Sequence, residues 1–299
     1  VRIGIDLGGT KIEVVAIGDN GVPLVRHRVP TPTGNYLGIL RTISELVDFA
    51  EKKSRQSATV GICTPGAISP LDGHIKNSNS TILNGKAFDV DIAAILGRPI
   101  RIENDANCFA LSEAIDGAAA AAPVVFGLIL GTGVGGGVVV DRTIIRGRNR
   151  IAGEWGHNPL PWVADQERQA SPCYCGKFDC IETFLSGAGL SKEYKRCTGI
   201  ELTAVEVAAA ANAGDSRAVE CLEIYKRRLA RALAGVVNVL DPDLIVVGGG
   251  LSNVPQLYQG LHILVGRYAF SDSIDTPIVP AFHGDSSGVR GAARLWPEQ

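Results

Sequence analysis

The 299-residue sequence carries 29 Lys and Arg against 31 Asp and Glu, a formal net charge of −2, with 45% apolar residues. That balance excludes a strongly basic nucleic-acid surface or a polybasic membrane contact, and the apolar share is ample for one large or two ordinary domains. Arg2, Asp6 and Lys11 interrupt the first residues before any signal peptide or membrane span can form, so the expected location is the cytoplasm and the expected partners are small molecules.

In chain order, Arg2 to Leu7, Lys11 to Ile17 and Leu24 to Val29 read as three short strands of an antiparallel meander, separated by Gly8-Gly9-Thr10 and Asp19-Asn20-Gly21. From Tyr36 the apolar positions Ile39, Leu40, Ile43, Leu46, Val47 and Ala50 fall at steps of three and four, which predicts an amphipathic helix. A strand over Thr59 to Cys63, a helix over Asp89 to Leu96 and a strand over Pro99 to Glu103 follow, placing Asn104 and Asp105 at a strand-to-helix junction. The theme then repeats. Val124 to Leu130 and Gly137 to Val140 flank a glycine-rich turn; helices are predicted over Ala204 to Ala213 and Arg217 to Leu240; Leu244 to Val247 is a buried strand, and Val254 to Tyr268 a helix. This pattern implies two related α/β halves facing one cleft.

Glycine, with 36 residues, concentrates after apolar runs: Gly8-Gly9, Gly131 to Gly137, and Gly248-Gly249-Gly250. Backbone N–H groups in such turns can cradle phosphate oxygens, and the Asp6 carboxylate can hold Mg²⁺. An ordinary glycine-rich hairpin with a surface Asp is the competing reading of Asp6 to Lys11. The second turn, with Gly131, Gly133 and Gly136, fits Gly-x-Gly-x-x-Gly, but a strand follows where a dinucleotide site needs a helix. Asn104-Asp105, taken alone, reads best as a helix N-cap.

His157 precedes Cys173, Cys175 and Cys180, three of the seven cysteines. One imidazole and three thiolates are the ligand set of a closed structural Zn²⁺ site; core thiols or a redox pair are the alternatives. Cys63, Cys108, Cys197 and Cys221 read as core thiols.

Asp6-Leu-Gly-Gly-Thr-Lys11, Glu103-Asn-Asp105, Gly131-Thr-Gly-Val-Gly-Gly-Gly137, Gly153-Glu-Trp-Gly-His157, the cysteine cluster with Glu182, and Gly248-Gly-Gly250 together resemble the ROK family of sugar kinases and repressors along essentially the whole chain. The stretches Asn77 to Gly85, Gly153 to Trp162, Cys173 to Gly187 and His283 to Pro297 look most like its bacterial fructokinases of the manno(fructo)kinase type. Asp179 departs from the resemblance, standing where the zinc motif usually has Gly, and the spacer between His157 and Cys173 is longer than usual.

The resemblance implies a two-domain, actin-like, ribonuclease H-like ATPase fold. Its small domain would span residues 1–116 joined by a C-terminal helix over 286–299, and its large domain 117–285. It further implies Asp105 as general base; Asn104, Asp105, Glu154, His157 and Glu182, with Gly66 and Asn79, around the sugar; and Asp6, Gly8, Gly9, Thr10, Lys11, Gly131, Thr132, Gly133, Gly248, Gly249 and Gly250 around Mg-ATP. Structural Zn²⁺ on His157, Cys173, Cys175 and Cys180 and a homodimer are implied as well. Support of the metal loop from behind its ligands is the alternative role for Glu154 and Glu182. Repressors of the family carry a DNA-binding segment ahead of the first phosphate turn, whereas Asp6 lies near the start of this sequence and the charge is balanced. The expected activity is therefore ATP-dependent phosphorylation of D-fructose, with mannose secondary, an N-acetylglucosamine or glucose kinase as the alternative, and a non-catalytic sugar sensor more remote.

Overall fold

The computed structural model describes residues 1–168 and 171–297. β1 (Arg2–Leu7), β2 (Lys11–Ile17) and β3 (Pro23–Pro30) form the expected meander. α1 (Tyr36–Ser54) is capped by the Asn35 side chain, which accepts from the Gly38 N–H, and buries the predicted stripe from Ile39 to Ala50. Next come β4 (Thr59–Thr64), the small hairpin β5 (Ala67–Ile68) and β6 (Ile75–Lys76), α2 (Phe88–Leu96), β7 (Ile100–Asn104) and α3 (Asp105–Asp116). The second half runs β8 (Val124–Leu130), β9 (Val134–Val140), β10 (Thr143–Ile144), α4 (Ile181–Leu185), α5 (Gly187–Thr198), α6 (Ala204–Asn212), α7 (Ser216–Leu240), β11 (Leu244–Gly248), α8 (Leu261–Gly266), β12 (Ile278–Pro280) and α9 (Ser287–Ala293).

The sheets repeat one topology. The first orders its strands β3-β2-β1-β4-β7 and the second β10-β9-β8-β11-β12, each an antiparallel edge followed by parallel strands. Among the described residues no helix is long and apolar enough to cross a membrane.

Two elements differ from the sequence reading. β9 begins at Val134, so Gly135, Gly136 and Gly137 are strand rather than turn. Their composition reflects packing: a Cβ at Gly136 would stand 2.7 Å from Trp155 Cδ1, and one at Gly137 2.6 Å from the Ala106 carbonyl. The helix expected over Val254 to Tyr268 is divided into a 3₁₀ turn, Pro255–Leu257, and α8, because Gly260 takes φ +67° between them. α5 escaped the sequence reading because Gly187 and Gly189 occupy its first turn and depress its helical signal. Of the expected C-terminal helix, Ser287–Ala293 is α-helical, and residues 298 and 299 lie outside the described residues.

α9 and α3 are stacked between the two sheets. α9 lies directly on β1 and β4, where a Cβ at Gly4 would meet the Val289 carbonyl at 2.0 Å and one at Gly61 the Ala292 carbonyl at 1.9 Å. α9 meets α3 at Gly291, whose Cβ would fall 1.7 Å from the Cys108 carbonyl, and α3 rests on β8 and β9 at Gly127 and Gly137. Glu113 of α3, fully buried, accepts from the Phe282 and His283 N–H groups, both at 3.0 Å, and from Ser287 Oγ at 2.7 Å. Asp116 adds Arg290 at 2.8 Å and Arg294 at 2.7 Å.

In the second half, Arg228 of α7 donates to Glu193 of α5 at 2.9 Å with both side chains 3% exposed, and to Glu167 at 3.1 Å. Burial alone would raise the Glu193 and Glu167 carboxyls, but the arginines outweigh it and hold each at about 2. A depressed folded-state value gives stability that is present above the ordinary carboxylate range and lost as pH falls toward 2. Denaturant titrations at pH 7 and pH 3 are therefore expected to show a steeper acid loss for wild type than for Glu167→Gln. Arg228→Leu, which removes one partner of the buried Glu193 carboxylate and leaves Arg196 bonded to it at 2.5 Å, is expected to cost about 1–3 kcal/mol at neutral pH.

Candidate active site

The parallel register sets Asp6 beside Cys63, and Cys63 beside Glu103, so Asp6 and Asp105 emerge near one edge of the first sheet. Asp105 opens α3, with Oδ1 accepting from the Ala106 N–H at 2.8 Å. Burial, the Asp6 charge and then the Glu154 charge push its carboxyl up to about 6. Burial likewise raises Asp6, against a hydrogen bond from the Cys63 thiol, which donates to Oδ1 at 3.2 Å. A half-buried carboxylate with a raised pKa next to a second carboxylate is suited to accept a proton near neutral pH.

Asn104 is the N-cap of α3: Oδ1 accepts from Ala106 N at 2.9 Å, and Nδ2 donates to the Gly66 carbonyl at 3.1 Å. Gly66 takes φ +84° and sits against the backbone of Lys76 and Ser78, which brings the loop bearing Asn79 beside Asn104. The cap reading thus holds, and the cap lies in the site.

The glycine turns follow strand ends. Gly8 N donates to Lys11 O at 3.0 Å, and Thr31 Oγ1 closes the turn onto Gly8 O at 2.8 Å. Gly131 N donates to Gly133 O at 3.0 Å, and Gly249, at φ +81°, lies against Leu130. Because β11 pairs with β8, Gly248 to Gly250 lie at the same end of the second sheet as Gly131 to Gly133. A cavity of about 500 Å³ opens at Gly8 and Gly9 and is lined by Thr31, Thr33, Asn79 and Ile82.

Glu154 follows Gly153, whose φ of +92° and 2.2 Å approach of a Cβ to the Gly136 carbonyl admit glycine alone. Burial raises the Glu154 carboxyl and Glu182 adds to that, with His157 and Lys76 opposing. Glu182 accepts from Val134 N at 2.9 Å, which ties α4 to the start of β9 beside the second glycine turn. His157 Nδ1 faces Cys173 Sγ at 3.4 Å, and Nε2 lies 3.0 Å from the Tyr174 hydroxyl. The nitrogen expected to face the sugar therefore meets Tyr174 first.

The ligand atoms of His157, Cys173, Cys175 and Cys180 all lie within 4.8 Å of one another, with Cys175 and Cys180 sulfurs 3.7 Å apart. Tetrahedral Zn–S bonds of about 2.3 Å place sulfurs about 3.8 Å apart, so this donor set fits Zn²⁺. Asp179 takes φ +53°, a conformation that favours glycine, and its Oδ1 accepts from Ser171 N at 2.9 Å, which accounts for an aspartate where the resemblance has Gly.

Sequence reasoning missed Cys63, Tyr174 and Arg146 as site residues. Cys63 and Arg146 face the site only through tertiary pairing; Tyr174 was signalled by its place between two metal-ligand cysteines.

Two halves of one sheet topology, with glycine turns and half-buried aspartates at the strand ends, make up the actin-like, ribonuclease H-like ATPase fold. Within that class the chain belongs to the ROK family, which it matches over residues 2–299. It is 40% identical over 296 residues, 98% of each chain, to N-acetyl-D-glucosamine kinase of Vibrio parahaemolyticus. Its fold superposes on ROK hexokinase from Thermus thermophilus with TM-score 0.86, 29% identity, and 98% and 96% of the two chains covered. A ROK family glucokinase from Streptomyces griseus, solved with glucose and AMPPNP, gives TM-score 0.81, 26% identity, and 100% and 99% coverage. The protein is a sugar kinase of this family. The expected likeness to fructokinases is not carried by these relatives, which are named for N-acetyl-D-glucosamine, hexose and glucose.

Proposed function

We propose that the protein transfers the γ-phosphoryl group of Mg-ATP to a hydroxyl of a free hexose, with N-acetyl-D-glucosamine as the preferred acceptor. The observation that carries the reaction class is the half-buried Asp105 carboxyl, raised to about 6 by burial and the neighbouring Asp6 and Glu154 charges. The 40% identity with N-acetyl-D-glucosamine kinase across nearly the whole chain supports the acceptor. Phosphoryl transfer needs positioning and charge stabilisation more than covalent help. Asp105 takes the hydroxyl proton; the backbone N–H groups of Gly8 to Lys11, Gly131 to Gly133 and Gly248 to Gly250 hold the nucleotide. Asn104, Glu154, His157, Glu182, Gly66 and Asn79 surround the sugar. Asp6 holds Mg²⁺, which neutralises charge on the phosphates when bound. His157, Cys173, Cys175 and Cys180 hold Zn²⁺, whose part is to fix the loop that carries Glu182.

Fructose is the second reading, favoured by the loop from Asn77 to Gly85. Ser78 and Asn84 clasp it, Ser78 N donating to Asn84 Oδ1 and Asn84 Nδ2 to Ser78 O, both at 2.9 Å, which gives the loop that carries Asn79 a set shape. The test is kcat/KM for N-acetylglucosamine, fructose, mannose and glucose under saturating Mg-ATP. A preference of tenfold or more for fructose replaces the first reading with the second, and no turnover on any of them removes both.

The pH dependence follows from the base. Asp105 accepts a proton only when ionised, so kcat/KM for the sugar is expected to rise with pH through one ionisation near 6 and to level off above it. A profile flat down to pH 4.5 contradicts the assignment.

A further inference from the structure

We propose that Glu103 and Arg146 form a positioning pair that couples the strand carrying Asp105 to the loop carrying Glu154. The inference rests on the reading of Asp105 as base and Glu154 as a sugar-binding group. Glu103 is 7% exposed and stands at the end of β7, two residues before Asp105. Its Oε1 accepts from the Asn104 N–H at 3.0 Å and from Asn107 Nδ2 at 3.1 Å, so one oxygen braces the first turn of α3. Its Oε2 accepts from Arg146 Nε.

Arg146 belongs to the other half of the molecule. The preceding Ile145 N donates to Val138 O at 2.8 Å, which anchors it to β9, and the Arg146 carbonyl accepts from Ala152 N at 3.3 Å, closing the loop that delivers Glu154. Lys76 spans the same gap, its Nζ donating to Asn149 O at 2.9 Å. Gly153 is pinned against Gly136, so Glu154 leaves the far end of this loop at a point fixed on β9 while Arg146 holds its near end to Glu103. The Arg146 side chain is 41% exposed, and an ion pair with one partner so exposed adds little to folding stability. Its worth lies in geometry: the pair keeps the proton acceptor and the sugar ligand at a fixed separation although they arise from different sheets.

The experiment compares Arg146→Gln, Arg146→Lys, Glu103→Gln and the double variant E103Q/R146Q, alongside Asp105→Asn, in assays varying the sugar at saturating Mg-ATP and the reverse. Small misplacements of reacting groups cost up to about 100-fold, and Arg146→Gln is expected to lower kcat/KM for the sugar about tenfold. The KM for Mg-ATP and the melting temperature should stay near wild type, and Arg146→Lys should recover part of the loss. The double variant should be no worse than the poorer single one, since both remove one interaction. Sugar kcat/KM unchanged in Arg146→Gln, an equal loss on Mg-ATP, or losses that multiply in the double variant would each overturn the pair while leaving the kinase reading intact. Full activity in Asp105→Asn would overturn the underlying reading instead.

Discussion

Asp105→Asn is expected to lower turnover by at least about 100-fold, the usual contribution of a general base, while sugar binding persists. The amide keeps the shape of the side chain, and its oxygen can still accept from the Ala106 N–H, so α3 begins as before. What it lacks is a site for the hydroxyl proton. The substitution carries a second signature that separates it from damage to the fold. Because burial and the neighbouring Asp6 raise the Asp105 carboxyl to about 6, its charge works against folding once the pH exceeds that value. A raised folded-state pKa gives stability that is present below the unfolded value and lost as pH rises through the folded one. At pH 7.5 Asp105→Asn should therefore melt above wild type while turning over far more slowly. Calorimetry and a coupled kinase assay on one preparation test both, and wild-type turnover in the variant sinks the assignment.

Loss of the proposed metal is expected to be nearly as severe, through a different route. Cys180 is buried, and Ile181, the next residue, opens α4; Glu182 then reaches Val134 N of the second glycine turn. Cys180→Ser, or stripping with a strong chelator, releases the start of α4 and with it both the sugar-facing loop and the turn. Apparent binding energies of structural Zn²⁺ sites are about 10–16 kcal/mol, enough for such a metal to order this segment. The expected result is about one zinc per chain in washed protein, with sugar KM raised at least about tenfold on its removal. Trp155, buried next to the metal loop, offers a fluorescence readout of the same event. Zinc-free protein with undiminished phosphorylation rules the site out.

The residues that periodicity and turn chemistry govern were legible in the sequence. The stripe from Ile39 to Ala50, the meander and the strand-to-helix junction at Asn104 all follow from local rules. Gly135 to Gly137 were misread as turn because a glycine demanded by a neighbouring backbone looks, in sequence, like one demanded by a bend. Glu103 and Arg146, or Cys63 and Asp6, meet only when distant strands pair, and no local pattern encodes that meeting. Zinc-ligand candidates were visible because a metal site needs particular atoms, whereas sugar preference depends on loop shape around hydrogen-bonding groups that suit many hexoses.

The stack of α9 and α3 gives the molecule an unusual mechanical character. Side chains normally cushion helix-on-sheet contacts, but at Gly4, Gly61, Gly291 and Gly137 main chain touches main chain, so these joints have almost no compressible layer. The separation of the two sheets is thereby gauged by peptide groups. One methyl group at Gly291 acts as a shim of an ångström or more, and it would spread the glycine turns of the two sheets while lying outside the proposed site. Alanine at these joints should accordingly impair turnover on every sugar alike.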